Sequence, residues 1–181
     1  MKENIKLGCT LLIITALAGL ILSFAYDITR KPIEARALEE KSAAMKVVLQ
    51  AEEFAPVEES NLPENITGIY EAKNGGANAG YVFTLNTKGY GGNIEMMVGI
   101  NADSTISGID ILKHTETPGL GAKAKEDPSF GEQFKGVSAD KAISLGSDVQ
   151  AITGATITST GVTNGVNEAI EYFNSNLKGA K

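Results

Sequence analysis

Residues 7–26 (LGCTLLIITALAGLILSFAY) run for twenty positions without a formal charge, between Lys2, Glu3 and Lys6 on one side and Asp27, Arg30 and Lys31 on the other. A helix of that length reaches about 30 Å, the thickness of a bilayer's hydrocarbon core, so the pattern predicts a single N-terminal transmembrane helix. The run exceeds the roughly 7–15 apolar residues of a secretory signal. Despite the small residues around Ser23-Phe24-Ala25, an uncleaved anchor is therefore expected. Cys9 fits there as a small membrane-embedded hydrophobe. Gly8, Thr15, Gly19 and Ser23 offer small residues for close approach of partner helices. Arg30, Lys31, Arg36 and Lys41 outnumber Lys2 and Lys6, and by the positive-inside rule that count favours a cytoplasmic C-terminal domain.

Past the anchor, residues 33–50 read as an amphipathic helix with Leu38, Met45 and Leu49 on one stripe and Pro32 at a tolerated first-turn position. Residues 52–64 (EEFAPVEESNLPE) hold five acids, two prolines and no base, the composition of a linker. The expected organisation is thus a tail and anchor over 1–26, a helix and acidic linker over 27–65, and a folded domain over 66–181. Strand signals then dominate. Residues 68–73 and 80–86 flank the turn signal Asn74-Gly75-Gly76, and Ile94, Met96, Val98 and Ile100 alternate as on a half-buried strand. Asn101-Ala102-Asp103-Ser104 predicts a turn into a partner strand over 105–113. A Gly- and Pro-rich loop, a short helical region over 129–135 and a strand candidate over 148–152 follow. From about Ile157, residues Val162, Val166, Ile170, Phe173 and Leu177 recur at helical spacing. Strands first and a long helix last predict an α+β domain of mainly antiparallel strands. No internal repeat is present.

Charge and rare residues narrow the chemistry. Sixteen basic residues against twenty-two acidic ones give a net charge of −6 with no basic stripe, which argues against nucleic acid as a partner. One cysteine and one histidine exclude Cys-based and multi-His metal centres within the chain, so no metal site is expected. What remains is a bound organic cofactor, or carboxylates and hydroxyls acting alone. Asn65-Ile66-Thr67 matches a glycosylation sequon, a pattern short enough to arise by chance.

Three short constellations stand out. Thr153-Gly154-Ala155-Thr156-Ile157-Thr158 lies at the start of the last helix, where unpaired N–H groups and the positive end of the dipole suit a phosphate. The alternative is that its threonines only cap the helix. His114-Thr115-Glu116-Thr117-Pro118-Gly119-Leu120-Gly121 follows a strand directly and is either a ligand-contact loop or a surface turn. Gly89-Tyr90-Gly91-Gly92 could admit a flat ring or form a simple hairpin loop. His114 with Thr156 as a hydrolytic pair lacks any spacing signature.

Taken in order, GYGGNIEMMVGI (89–100), HTETPGLGAK (114–123), EQFKG (132–136) and AITGATITSTGV (151–162) resemble the covalent FMN-binding domain shared by the G subunit of the Rnf electron-transport complex and the C subunit of sodium-translocating NADH:quinone reductase. The resemblance spans about residues 66–177, and the compact length is more like the Rnf protein. It implies FMN joined through its phosphate to the last threonine of a [Ser/Thr]-Gly-Ala-Thr motif, here Thr156, with Thr153, Gly154 and Ala155 shaping the turn and Thr158 beside the phosphate. It also implies Glu116, Thr117 and Leu120 near the flavin, and a flavin transferase that uses FAD as the modifying enzyme. One departure is visible: the acidic residue common three positions before the Ser/Thr is Gln150 here, with Asp148 two residues earlier.

As a function, the resemblance implies a flavoprotein anchored by one span in the cytoplasmic membrane, its domain on the extracytoplasmic side against the charge count. Electrons would pass through its FMN between other membrane subunits of an ion-translocating ferredoxin:NAD+ oxidoreductase. No catalytic residue and no net reaction would belong to this chain alone. The equivalent quinone-reductase subunit and a stand-alone extracytoplasmic flavin carrier are the alternatives within that class. A cofactor-free anchored scaffold, colourless when purified, is the alternative outside it.

Overall fold

The computed structural model describes residues 8, 11–12, 14–24, 26, 41–58 and 62–179. These fall in two compact units, Met1–Lys41 and Ser42–Lys181. In the first, the described residues between 8 and 26 are α-helical, and Leu11, Leu12, Leu17, Leu20, Leu22 and Phe24 are all exposed. Thr15 turns its hydroxyl back to the Leu11 and Leu12 carbonyls, at 3.0 and 3.1 Å. Among the described residues no helix is long and apolar enough to cross a membrane. Several positions of the expected anchor, Leu7 and Cys9 among them, lie outside the described residues, as do the flanking basic residues up to Arg36. So do residues 33–40 of the expected amphipathic helix, with Leu38.

The second unit is built on a five-stranded antiparallel meander in the order β1-β2-β3-β4-β5: β1 Glu53–Pro56, β2 Ile66–Asn74, β3 Ala77–Lys88, β4 Asn93–Asn101 and β5 Ile106–Lys113. Between β2 and β3, Gly75 and Gly76 both take positive φ, +56° and +83°, the pair of conformations that a two-residue hairpin needs to match strand twist. The turn from β4 to β5 is held by Asp103, whose carboxylate accepts from the Thr105 amide at 3.1 Å and its hydroxyl at 2.6 Å.

Alternation sorts the strands into two faces. Phe83, Leu85, Ile94, Met96, Val98 and Ile100 join the larger core with Val162, Val166, Ala169, Ile170 and Phe173. These last belong to α4 (Thr156–Tyr172) and the single π-helical turn Phe173–Leu177 that continues it. The opposite face puts Ala72, Val82 and Met97 against Met45, Val48 and Leu49 at the end of helix α1, residues 41–48. That helix end can sit down because Gly99 and Gly108 face each other in register; a Cβ on Gly99 would lie 2.7 Å from the Val48 carbonyl oxygen. The Ser107 hydroxyl donates to the same oxygen at 2.5 Å, satisfying a carbonyl that the helix leaves open.

Two expectations need correction. Residues 148–152 form no strand: only an isolated bridge, Leu145 to Val149, occurs there. Asp148 instead closes a local turn, accepting from the Ser144 amide at 2.8 Å and donating its own amide to the Ser144 carbonyl at 2.9 Å. The acidic stretch expected as a linker contains β1, paired with β2 from Glu53 against Lys73 to Pro56 against Tyr70. Pro56 is tolerated because this is an edge strand. The helical region expected over 129–135 is α3 (Pro128–Glu132), with Asp127 capping it by accepting from the Ser129 amide at 2.9 Å, while a further short helix, α2 (Lys123–Glu126), lies in the stretch read as a loop. The fold class is α+β, as the pattern predicts.

Candidate functional site

Three segments distant in sequence meet at one end of the sheet: the β3–β4 loop, the loop after β5, and the turn into α4. Between them lies a cavity of about 440 Å³ lined by Tyr90, Glu116, Thr117, Leu120, Gly121 and the run Gly154 to Thr158. Its size falls in the range of small-molecule and cofactor sites, about 300–1,000 Å³.

Glu116 ties the three segments together. Its side chain is buried, with 6% of the residue exposed. Oε1 accepts from the Gly91 amide at 2.8 Å, and Oε2 accepts from the Thr158 hydroxyl. Its own amide donates to His114 Nδ1 at 3.2 Å, which fixes the loop just before it. The glycines around it are there for room. A Cβ on Gly89 or on Gly121 would come within 2.4 Å of a Glu116 carboxylate oxygen, and one on Gly91 within 2.2 Å of the Thr115 carbonyl oxygen. The Thr115 hydroxyl completes the clasp by donating to the Gly91 carbonyl at 3.0 Å.

The start of α4 is built differently. The N-cap residue is Ala155, and no side chain caps the helix. The threonines therefore do not act as caps, and the end of the dipole stays open toward the cavity. Ser159 fixes the approach instead: its hydroxyl accepts from the Ile152 amide at 2.9 Å and donates to the Ala155 carbonyl at 3.0 Å. Gly154 takes φ +78°, which lets the chain turn sharply without a Cβ. Thr156 is the first helical residue and is exposed on the cavity rim.

The residues singled out in the sequence are only partly assembled here. Gly154, Ala155, Thr156, Glu116, Thr117 and Leu120 all line the cavity. Thr158 lines it too, but its hydroxyl is buried against Glu116, not free at the helix end. Thr153 lies on a smaller neighbouring cavity of about 230 Å³, with Lys123, Gln133 and Gln150. There Gln150 is engaged by Gln133 in both directions: its amide donates to Gln133 Oε1 at 2.8 Å, and Gln133 Nε2 donates to its carbonyl at 3.4 Å. His114 does not line the main cavity. Ile157 and Gly121 do line it; both fall within the motifs singled out in the sequence, where neither has a role of its own. Ile157 is an apolar residue off the buried stripe of α4. Among the described residues no group of three or more His, Cys, Asp or Glu side chains is placed to hold a metal ion.

The family model described as the FMN-binding domain matches residues 89–171, a span that opens on the glycine loop and ends within α4. The class is thus that of proteins with an FMN-binding domain, and the site residues fit the group: an uncapped helix N-terminus and Gly154 for a phosphate, a concave rim with Tyr90, Leu120 and Ile157 for a ring. Over nearly all its length the chain is 36% identical to the G subunit of the Na(+)-translocating ferredoxin:NAD(+) oxidoreductase complex of Acetobacterium woodii, covering 95% of this chain and 92% of that one. It is 37% identical to the G subunit of the proton-translocating ferredoxin:NAD(+) oxidoreductase complex of Clostridium ljungdahlii, over 94% and 89% of the two chains. The crystal structure of Shewanella oneidensis NqrC aligns with a TM-score of 0.52 and 26% identity, over 60% of this chain and 58% of that one. The chain belongs to the G-subunit family of ion-translocating oxidoreductase complexes.

Proposed function

We propose that this chain is a membrane-anchored flavoprotein that passes electrons through FMN within an ion-translocating ferredoxin:NAD+ oxidoreductase, with the FMN phosphate esterified to Thr156. The observation that carries the reading is the open N-terminus of α4, where an exposed threonine hydroxyl stands at an uncapped helix end on the rim of a cofactor-sized cavity. A phosphoester formed there keeps its remaining negative charge at the positive end of the helix dipole. The hydroxyl oxygen of Thr156 would take the FMN phosphate from FAD, with AMP as the leaving group, in a reaction run by a separate flavin transferase. Bound FMN supplies the redox chemistry. The chain's own residues hold it: Gly154 gives the phosphate access to backbone, and the Glu116 clasp keeps the walls of the cavity in register.

Support for the anchor comes from the twenty-residue uncharged run and from its described positions, which are helical with large apolar side chains exposed all round. Such a helix is stable in an apolar surrounding. The domain would lie on the extracytoplasmic side, as the resemblance to the Rnf protein implies, and would meet other membrane subunits of the complex.

The test is a denaturing gel viewed by flavin fluorescence, after co-expression with a flavin transferase. Wild type is expected to fluoresce, and Thr156→Ala to be dark with unchanged circular dichroism. A fluorescent Thr156→Ala band at full occupancy would contradict the assignment. Purification of the complex with ferredoxin:NAD+ activity, against quinone-reductase activity, separates the Rnf reading from its nearest alternative.

A further inference from the structure

We propose that Gln133 is a positioning residue for flavin transfer: it holds the exposed segment 150–156 on the folded domain in the form that the transferase takes up. The inference rests on the reading that FMN is carried at Thr156. An enzyme that brings FMN to the Thr156 hydroxyl must grip the chain beside it. On the C-terminal side that chain is already α4, with Thr158 and Ser159 buried. On the N-terminal side Gln150, Ala151, Thr153 and Gly154 are all exposed, so the grip falls there. The cavity of about 230 Å³ lies beside this stretch and leaves room for an enzyme side chain.

Residues 150–155 belong to no strand, yet their backbone is fastened at both ends. Towards α4, the Ile152 amide donates to the Ser159 hydroxyl at 2.9 Å, and the Ile152 carbonyl accepts from the Ala155 amide at 2.9 Å. At residue 150 the partner is the side chain of Gln133, the residue that closes α3. Gln133 Oε1 accepts from the Gln150 amide at 2.8 Å, and Gln133 Nε2 donates to the Gln150 carbonyl at 3.4 Å. A carboxamide carries the same donor and acceptor as a peptide unit, so Gln133 does for residue 150 what a neighbouring strand would. Among the described residues nothing else bonds that backbone. The Gln150 side chain is tied back as well, its Nε2 donating to the Gly146 carbonyl at 3.3 Å. A segment held in place before it is bound costs an enzyme less ordering. Losing Gln133 therefore weakens capture of the chain and leaves the chemistry at Thr156 as it is. In that step Thr156 Oγ1 bonds to the FMN phosphorus of FAD, the pyrophosphate bond breaks, AMP leaves and the hydroxyl proton passes to the transferase. A brace that only joined α3 to the turn after residue 144 would change stability and leave transfer untouched.

The experiment uses the full chain made without transferase and kept in detergent, as wild type, Gln133→Met and Gln133→Glu. Hydrogen exchange is read at the Gln150 amide first; purified flavin transferase and FAD are then added and incorporation is followed by intact mass. Gln133→Met keeps the length of the side chain and removes both bonds. It should speed exchange at Gln150 and raise the KM for the chain about tenfold, the scale of two lost hydrogen bonds. The kcat should stay at the wild-type value, because the chemical step is not touched. Gln133→Glu keeps an acceptor for the Gln150 amide and should fall between the two; it carries the same readouts if Gln133→Met does not fold. Faster exchange at Gln150 with the wild-type KM would overturn the inference alone and leave Gln133 a brace within the fold. Unchanged exchange there would overturn it too, since the bond would not hold in solution. Wild type left unmodified by a transferase active on a control substrate would overturn the reading beneath it as well.

Discussion

Glu116 is bonded to two other segments of the cavity, and its neighbours record the space it needs. Truncating it as Glu116→Ala leaves the exposed Gly91 amide to water and the buried Thr158 hydroxyl without its acceptor, the latter a loss of about 1–3 kcal/mol. Glu116→Gln retains an acceptor oxygen and should lose less. The check is the urea midpoint of each variant, together with hydrogen exchange at Gly91, which should speed up in Glu116→Ala first. Gly121→Ala probes the same clasp by crowding, since its Cβ would stand 2.4 Å from Glu116 Oε2 and 2.5 Å from Thr158 Oγ1. Overpacking of that kind costs about 1–3 kcal/mol. At this scale the sequence was half legible. Thr156 and Glu116 announce themselves through short motifs, but the bond between Glu116 and Thr158 joins residues 42 apart. No local pattern carries such a pairing, so Thr158 read as a phosphate neighbour when its hydroxyl is spent inside.

The elements were read best where a strand is bounded by a turn signal, Gly75-Gly76 between β2 and β3 or Asn101–Ser104 between β4 and β5. β1 escaped because a four-residue edge strand set in an acidic, proline-containing stretch shows no alternation, and only its pairing with β2 defines it. The false strand at 148–152 failed for the reverse reason: its apolar positions had no neighbouring strand to pair with, and Asp148 closed a turn instead. Asp127 gives an element-level prediction. Hydrogen bonds from the Ser129 side chain and amide hold its carboxyl below the ordinary aspartate value of 3.8. A depressed folded-state value means stability that is fully present above the unfolded value and lost as pH falls through the folded one. Asp127→Ala should therefore lower the melting temperature at neutral pH, with a gap to wild type that holds until the pH nears the aspartate range and then closes. A gap unchanged down to the acid-unfolded state would show that the cap's charge contributes nothing.

At the scale of the whole molecule, the unit that carries the site begins at Ser42. Met45, Val48 and Leu49 cover one face of the sheet, and removing them would bare Ala72, Val82 and Met97 to water. A chain starting at residue 42 should express as a cooperative, folded protein. One starting at residue 66 should aggregate or melt without a clear transition, because it lacks α1 and β1 together. Differential scanning calorimetry of the two truncations distinguishes these outcomes; equal melting of both would mean that α1 is an ornament on the fold. The packing of α1 on the sheet is not legible in the sequence, since it depends on Gly99 and Gly108 meeting in register across two strands.

The proposed role of the chain turns on one bond, between FMN and Thr156. The direct measurement is the intact mass of the wild-type chain after co-expression with a flavin transferase, followed by peptide mapping under denaturing conditions. A gain of one FMN less one water is expected, located on the peptide that carries Thr156. An unmodified chain beside a transferase shown to be active on a control substrate, or the same gain located on any other residue, would contradict it.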